Sequence, residues 1–229
     1  MIIKNLTKKN VLSIAIACVT SFGMVNANAA LKGPYVGGQL GFGNVHQDTF
    51  TAPSTSIFLT SGASGKDTGI AGRVYFGYLI NRYVAAEVGY SKFSNTNTKM
   101  YATQIDYITG GAITHYASGT IETEAVDLVG KGIIPFQNGF NLYGKLGVAY
   151  LRGTGSINYS VTEPGIYNSH THVSEDAHKF FPTFGLGVGY DVSQHVTTDV
   201  SWNRIQKVGN SSELNSTDLF AVGFSYNFG

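Results

Sequence analysis

Two groups of residues in this chain have the types and spacing to do chemistry. The first is His170-Thr171-His172, followed by Glu175-Asp176 and His178. Imidazoles and carboxylates this close in sequence could hold a transition metal. An HxH pair alone is a weak signal, and a solvated polar loop explains the same residues. His170, His172 and His178 therefore stand as weak candidates, and neither a metal site nor a cofactor is assigned. The second group is Arg73, Glu87, Asp127, Lys131, Lys145 and Asp199. Each lies in a segment where polar and apolar residues alternate, on the side opposite the apolar one. Three cations and three carboxylates on one interior could neutralise one another, Arg73 with Glu87 among them. Strand-end residues assemble no Ser, His and acid triad, so no enzyme activity is expected.

The elements that must position these charges show most plainly in Thr68 to Phe93. Ile70, Val74, Phe76, Tyr78 and Ile80 share one face, and Ala71, Arg73, Tyr75, Gly77 and Leu79 the other. After Asn81-Arg82 the alternation resumes. Val84, Ala86, Val88 and Tyr90 oppose Tyr83, Ala85, Glu87, Gly89 and Ser91. Period-two alternation across a short polar break predicts a hairpin of two strands. The polar face is made of small residues with a few opposite charges. That suits the inside of a narrow barrel, and the apolar face then suits lipid.

The same pattern recurs along the chain. Tyr35 to Gly43, Ile121 to Ile134, Phe140 to Arg152, Lys179 to Asp191, His195 to Ile205 and Thr217 to Phe228 each alternate. With the hairpin the count is eight strands of roughly ten residues, the length that crosses a bilayer when tilted. Residues 44–67, 94–120 and 153–178 read as long polar loops. Pro135 to Gly139 and Ser193-Gln194 read as tight turns. Long and short connections alternate, which predicts an all-β, eight-stranded antiparallel up-and-down transmembrane β-barrel with both termini in the periplasm. Tyr90, Tyr150, Tyr190 and Trp202 fall near strand ends on the outer face, where aromatic girdles belong. A soluble lipocalin-like barrel would show the same alternation, because periodicity does not distinguish lipid from a protein core.

Composition agrees with the first of these. Charged residues are 13% of the 229, against roughly 25% in an average soluble domain. Lys4, Lys8 and Lys9, a short apolar run from Val11 to Val25, and Ala27-Asn28-Ala29 predict a signal peptide over 1–29. The barrel domain is then 30–229. Cys18, the one cysteine, falls in the signal, so no disulfide is expected; Ile16-Ala17-Cys18 also faintly resembles a lipoprotein cleavage box. Without the three signal lysines, 12 of the 15 basic residues remain against 14 acidic ones. That balance carries no nucleic-acid footprint.

The motifs GYLINRYVAAEVGY, DLVGKGIIP with LYGKLGVAY, FGLGVGYDV and FAVGFSYNFG closely resemble the transmembrane domain of the OmpA family. Related eight-stranded proteins (OmpX and Ail types, opacity adhesins) share them. The resemblance covers nearly all of Tyr35 to Gly229, mainly in the strands. It implies an ion-paired interior in which Glu87, Lys131 and Lys145 match network members. It also implies an acidic residue where Gly189 stands and a basic one where Asp199 stands; Arg73 is the candidate replacement cation. Phe228 stands one place before the aromatic end of the family's usual assembly signal. The family's periplasmic peptidoglycan-binding domain is not expected here. Nor does Ser201-Trp202-Asn203 carry the His that lipid A deacylase barrels place near their Ser.

The expectation is a monomeric outer-membrane barrel of a Gram-negative cell, in contact with its lipids and lipopolysaccharide. It would be inserted by periplasmic chaperones and the barrel-assembly machinery. Its loops would serve a structural or surface-interaction role toward host or envelope proteins. The alternative is a narrow porin-like ion channel, and a lipid A-modifying enzyme is the lesser one.

Overall fold

The computed structural model describes residues 32–45, 58–66, 68–105, 112–163, 167–208 and 215–229. The expected signal peptide, Cys18 included, lies outside them. Among the described residues nine strands form: β1 (Gly33–Val45), β2 (Phe58–Lys66), β3 (Thr68–Asn81), β4 (Val84–Ile105), β5 (Ala112–Pro135), β6 (Phe140–Glu163), β7 (Tyr167–Asp191), β8 (Val196–Ile205) and β9 (Thr217–Asn227). Eight of them close a ring in which every neighbour is antiparallel. β1 pairs with both β3 and β9, and β4 pairs with β5. β2 lies outside this ring and, among the described residues, pairs only with the far end of β4.

The turns follow their residues. Asn138 and Gly139 both take positive φ (74° and 80°) between β5 and β6, the conformation an Asn-Gly hairpin turn requires. The Asn81 side chain accepts from the Tyr83 N–H (2.8 Å) between β3 and β4. Ser193 Oγ accepts from the Val196 N–H (3.1 Å) between β7 and β8. These turns mark one end of the barrel.

The other end departs from the sequence reading. Much of 94–120 and 153–178 is strand rather than loop, as is Phe58–Lys66 within 44–67. β4 to β7 run on past the barrel as two projecting hairpins, with β5 and β6 in register from Thr114–Thr162 to Pro135–Asn141. Apolar residues are sparse along these extensions, so period-two reading misses them. They are held by cross-strand polar pairs on residues of good strand propensity. Thr120 Oγ1 donates to Asn97 (2.9 Å), Thr103 and Thr114 hydroxyls meet at 3.4 Å, and His115 Nδ1 contacts the Tyr159 hydroxyl at 2.5 Å.

Exposure decides between lipid and a protein core. Leu146 and Phe180 on the outer face are 71% and 70% exposed, while Arg73, Glu87 and Lys145 inside are 4%, 1% and 5%. A soluble barrel would invert this. The bore is also less spare than small residues alone suggest. Ala125, Ala149, Leu151, Phe181 and Ile205 make an apolar plug on the hairpin side, joined there by Val45, Ala71, Phe93, Leu219 and Ala221. Tyr35, Tyr75, Leu79 and Ala85 make another toward the short turns. The charged layer lies between them.

Candidate functional site: the charged layer and the projecting hairpins

Glu87 is the centre of the layer. β4 turns its carboxylate inward, where Lys145 Nζ (2.7 Å) on β6 and Lys131 Nζ (3.4 Å) on β5 reach it. Arg73 Nη1 (3.4 Å) comes from β3, and the Tyr35 hydroxyl donates at 2.8 Å from β1. Arg73 then forks onto Asp127, with Nε at 3.0 Å and Nη2 at 2.6 Å from the two carboxylate oxygens. A bidentate pair of this kind fixes orientation as well as charge. Five of the six expected interior residues are thus joined in one network.

Asp199 stands apart from it. Among the described residues it makes no ion pair. Its Oδ2 accepts from the Tyr143 hydroxyl (2.6 Å) and from Gln39 Nε2 (2.7 Å), which also donates to Ser201 (3.1 Å). Sequence reasoning missed Tyr35, Gln39, Tyr75 and Tyr143. Tyr35 and Tyr143 bind the layer twice, through hydroxyls and through ring faces, and Tyr75 binds it through its ring face. Lys131 Nζ lies 4.2 Å from the Tyr143 ring centroid, and Arg73 and Lys145 lie 4.9 Å and 5.1 Å from that of Tyr75.

The inner glycines explain how such long side chains fit. Tyr35 lies opposite Gly77, Tyr75 opposite Gly37 and Tyr143 opposite Gly187. A Cβ at any of these glycines would run into the facing ring, and one at Gly89 would meet the Arg73 guanidinium. Glycine opposite a large interior residue was the readable signal. Small cavities flank the layer, about 20 Å³ beside Arg73, Asp127 and Lys145, and about 60 Å³ beside Tyr35, Lys131 and Asp191. Each has room for one or a few waters.

The outer residues sit at two levels. Tyr90 and Tyr150 both face Val126, and Tyr150 packs on Phe180 at 5.0 Å. Trp202 packs on Phe184 at 5.7 Å and donates Nε1–H to Asp218 at 3.0 Å. These lie on the hairpin side, whereas Tyr190 packs on Phe140 (4.9 Å) beside the Asn138-Gly139 turn.

The histidines of the metal reading lie on the extended β7 rather than in a loop. His172 faces Asn158 and contacts its side chain (2.9 Å), and His178 faces Arg152. Six residues of strand separate the two, about 20 Å at ~3.3 Å per residue, too far to share an ion. The side chain of His170 lies outside the described residues. Two residues past Tyr150, Arg152 reaches Asp176 at 3.2 Å.

The chain is similar to several known proteins. An uncharacterized protein of Coxiella burnetii is 27% identical over 223 residues, covering 88% of this chain and 87% of its own. Outer membrane protein A of Serratia marcescens is 25% identical over 227 residues, 97% of this chain. The chain spans 56% of the length of that relative. The crystal structure of the outer membrane protein OprG from Pseudomonas aeruginosa covers 89% of this chain and 99% of its own, with TM-score 0.48 and 15% identity. Residues 30–229 match the OmpA-like transmembrane domain, and the chain belongs to that family of outer-membrane β-barrels.

Proposed function

We propose that this barrel is a surface-interaction protein whose working parts are the β4–β5 and β6–β7 hairpins. Its eight-stranded belt fixes them in the outer membrane, with the short turns and both described ends in the periplasm. The observation that carries this is strand length. β8 and β9, at 10 and 11 residues, are long enough to cross a bilayer, whereas β5, β6 and β7 have 24, 24 and 25. Well over half of each long strand is then spent outside the lipid. The filled bore supports the same reading, because an eight-stranded ring has room for little beyond its own side chains.

Sidedness and conduction test it. The expected mature chain has no cysteine, so single cysteines report cleanly. A cysteine at Asn158 should react with a membrane-impermeant maleimide on intact cells, and one at Gln194 should not. The reverse pattern would overturn the orientation. Refolded protein in a planar bilayer should show no steady large openings; their presence would favour the conducting alternative.

A further inference from the structure

β7 pairs with β6 along nearly its whole length but with β8 only from Thr183 to Asp191. The ladder to β8 ends at a proline. Gln206 N–H donates to the Pro182 carbonyl at 2.9 Å, and proline has no N–H to return the bond. Above Pro182, β7 has no neighbouring strand on that side among the described residues. Backbone direction alternates along a strand, so the even-numbered residues share the direction of Pro182. His172, Ser174, Asp176, His178 and Phe180 therefore turn their N–H and C=O groups to a free edge.

Exposed edges are commonly guarded by charges or proline. Thr171 to Ser174 carries no Asp, Glu, Lys, Arg or Pro; Glu175 and Asp176 follow, with Asp176 paired to Arg152 on the neighbouring strand. Beside it, on the inner side of the projecting sheet, Ile157 and Val173 are cross-strand neighbours, each 54% exposed. A strand added at this edge would gain the free backbone groups and extend that apolar row.

We propose that the β7 edge from His172 to Asp176 receives an extended segment of a partner protein by strand addition, with apolar side chains at alternate positions turned toward Val173 and Ile157. This rests on the hairpins being the working surface. A second copy of this chain fits poorly. Antiparallel pairing of two β7 edges would point the two barrels in opposite directions, which one membrane forbids. A strand added here also lies above β8, over the barrel's own rim, where a strand built into another barrel wall does not reach. An extended peptide meets neither obstacle.

Hydrogen exchange at residue resolution tests the proposal on mature protein in nanodiscs. The probe is the synthetic peptide Lys-Thr-Val-Thr-Val-Thr-Val-Lys. In the free protein the amides of Ser174 and Asp176 should exchange fast, while those of Val173 and Glu175, turned to β6, stay protected. Peptide should slow the first pair and leave the second unchanged. Ser174→Pro removes one edge donor and should weaken peptide binding by about tenfold, while Ser174→Ala binds as the parent does. The parent exchange data stand even if the proline variant disturbs the hairpin. Edge amides already protected in free protein, whether at all concentrations (covered by its own chain) or increasingly with concentration (by a second copy), overturn the proposal. So does a peptide that leaves them fast. That failure leaves the cysteine-labelling result untouched, so the two readings fall separately.

Discussion

Replacing Glu87 by Gln keeps the shape of the side chain and removes the charge on which Lys145, Lys131 and Arg73 converge. Within the set Arg73, Lys131, Lys145, Glu87, Asp127 and Asp199, three cations then face two carboxylates. The Lys145 side chain is 3% exposed, so water does not compensate it. Breaking one side of a buried pair costs about 3–5 kcal/mol, since the remaining charge stays buried without its partner. Lys145→Met alone should cost a similar amount by leaving the carboxylates in excess. The double variant restores equal numbers of each sign within that set and should cost well under the sum. A coupling of about 0.5–3 kcal/mol is the range for residues in contact. Urea unfolding in lipid vesicles, followed by the single tryptophan, measures all three variants on one scale. A Glu87→Gln cost below about 1 kcal/mol would refute the reasoning, as would two single costs that add within about 0.5 kcal/mol.

Three further outcomes are expected. Gly187→Ala pushes a methyl into the Tyr143 ring and should cost about 1–3 kcal/mol in the same unfolding assay. Gly132→Ala, with open space around it, should stay within about 0.5 kcal/mol; equal costs at both would contradict the packing account. Arg73→Lys keeps the charge but loses the fork onto Asp127, and should still destabilise by about 1.5–3 kcal/mol; a neutral result would mean that charge alone suffices. On the projecting hairpin, hydrogen bonds from Thr154 and then Arg152 hold the Asp176 carboxyl below its ordinary value. Its folded-state pKa is depressed, so the contribution of this contact is present above the free carboxyl's value of about 3.9 and is lost as pH falls through the lower folded value. An NMR titration of Asp176 with its midpoint at or above the free value would contradict this.

What was legible in the sequence depended on whether a lipid-facing side imposed a period. From Val84 to Tyr90 or Phe220 to Phe228 it did, and both faces could be assigned residue by residue. The Asn138-Gly139 turn was readable because positive φ is a local demand. Beyond the belt no medium imposes alternation. Asn97, Thr120, Thr103 and Thr114 look like loop residues although they pair across strands. Inside the bore, six charges could be placed on the inner face, but not matched. Matching depends on strand stagger around the ring, which brings Glu87 to Lys145 and gives Asp199 to Tyr143 and Gln39. Phe181 and Leu151 escaped because two adjacent large apolar residues, such as Phe180-Phe181, look alike in sequence while facing lipid and bore respectively.

The whole account depends on acyl chains touching the outer face. Trp202 is the chain's one tryptophan and lies on that face among Phe184 and Phe220. In vesicles of brominated phospholipid its fluorescence should be strongly quenched, more by bromines near the headgroup than by those at the bilayer centre, and iodide in the water should quench it little. Emission untouched by brominated chains but readily quenched by iodide would show that the apolar side does not face lipid.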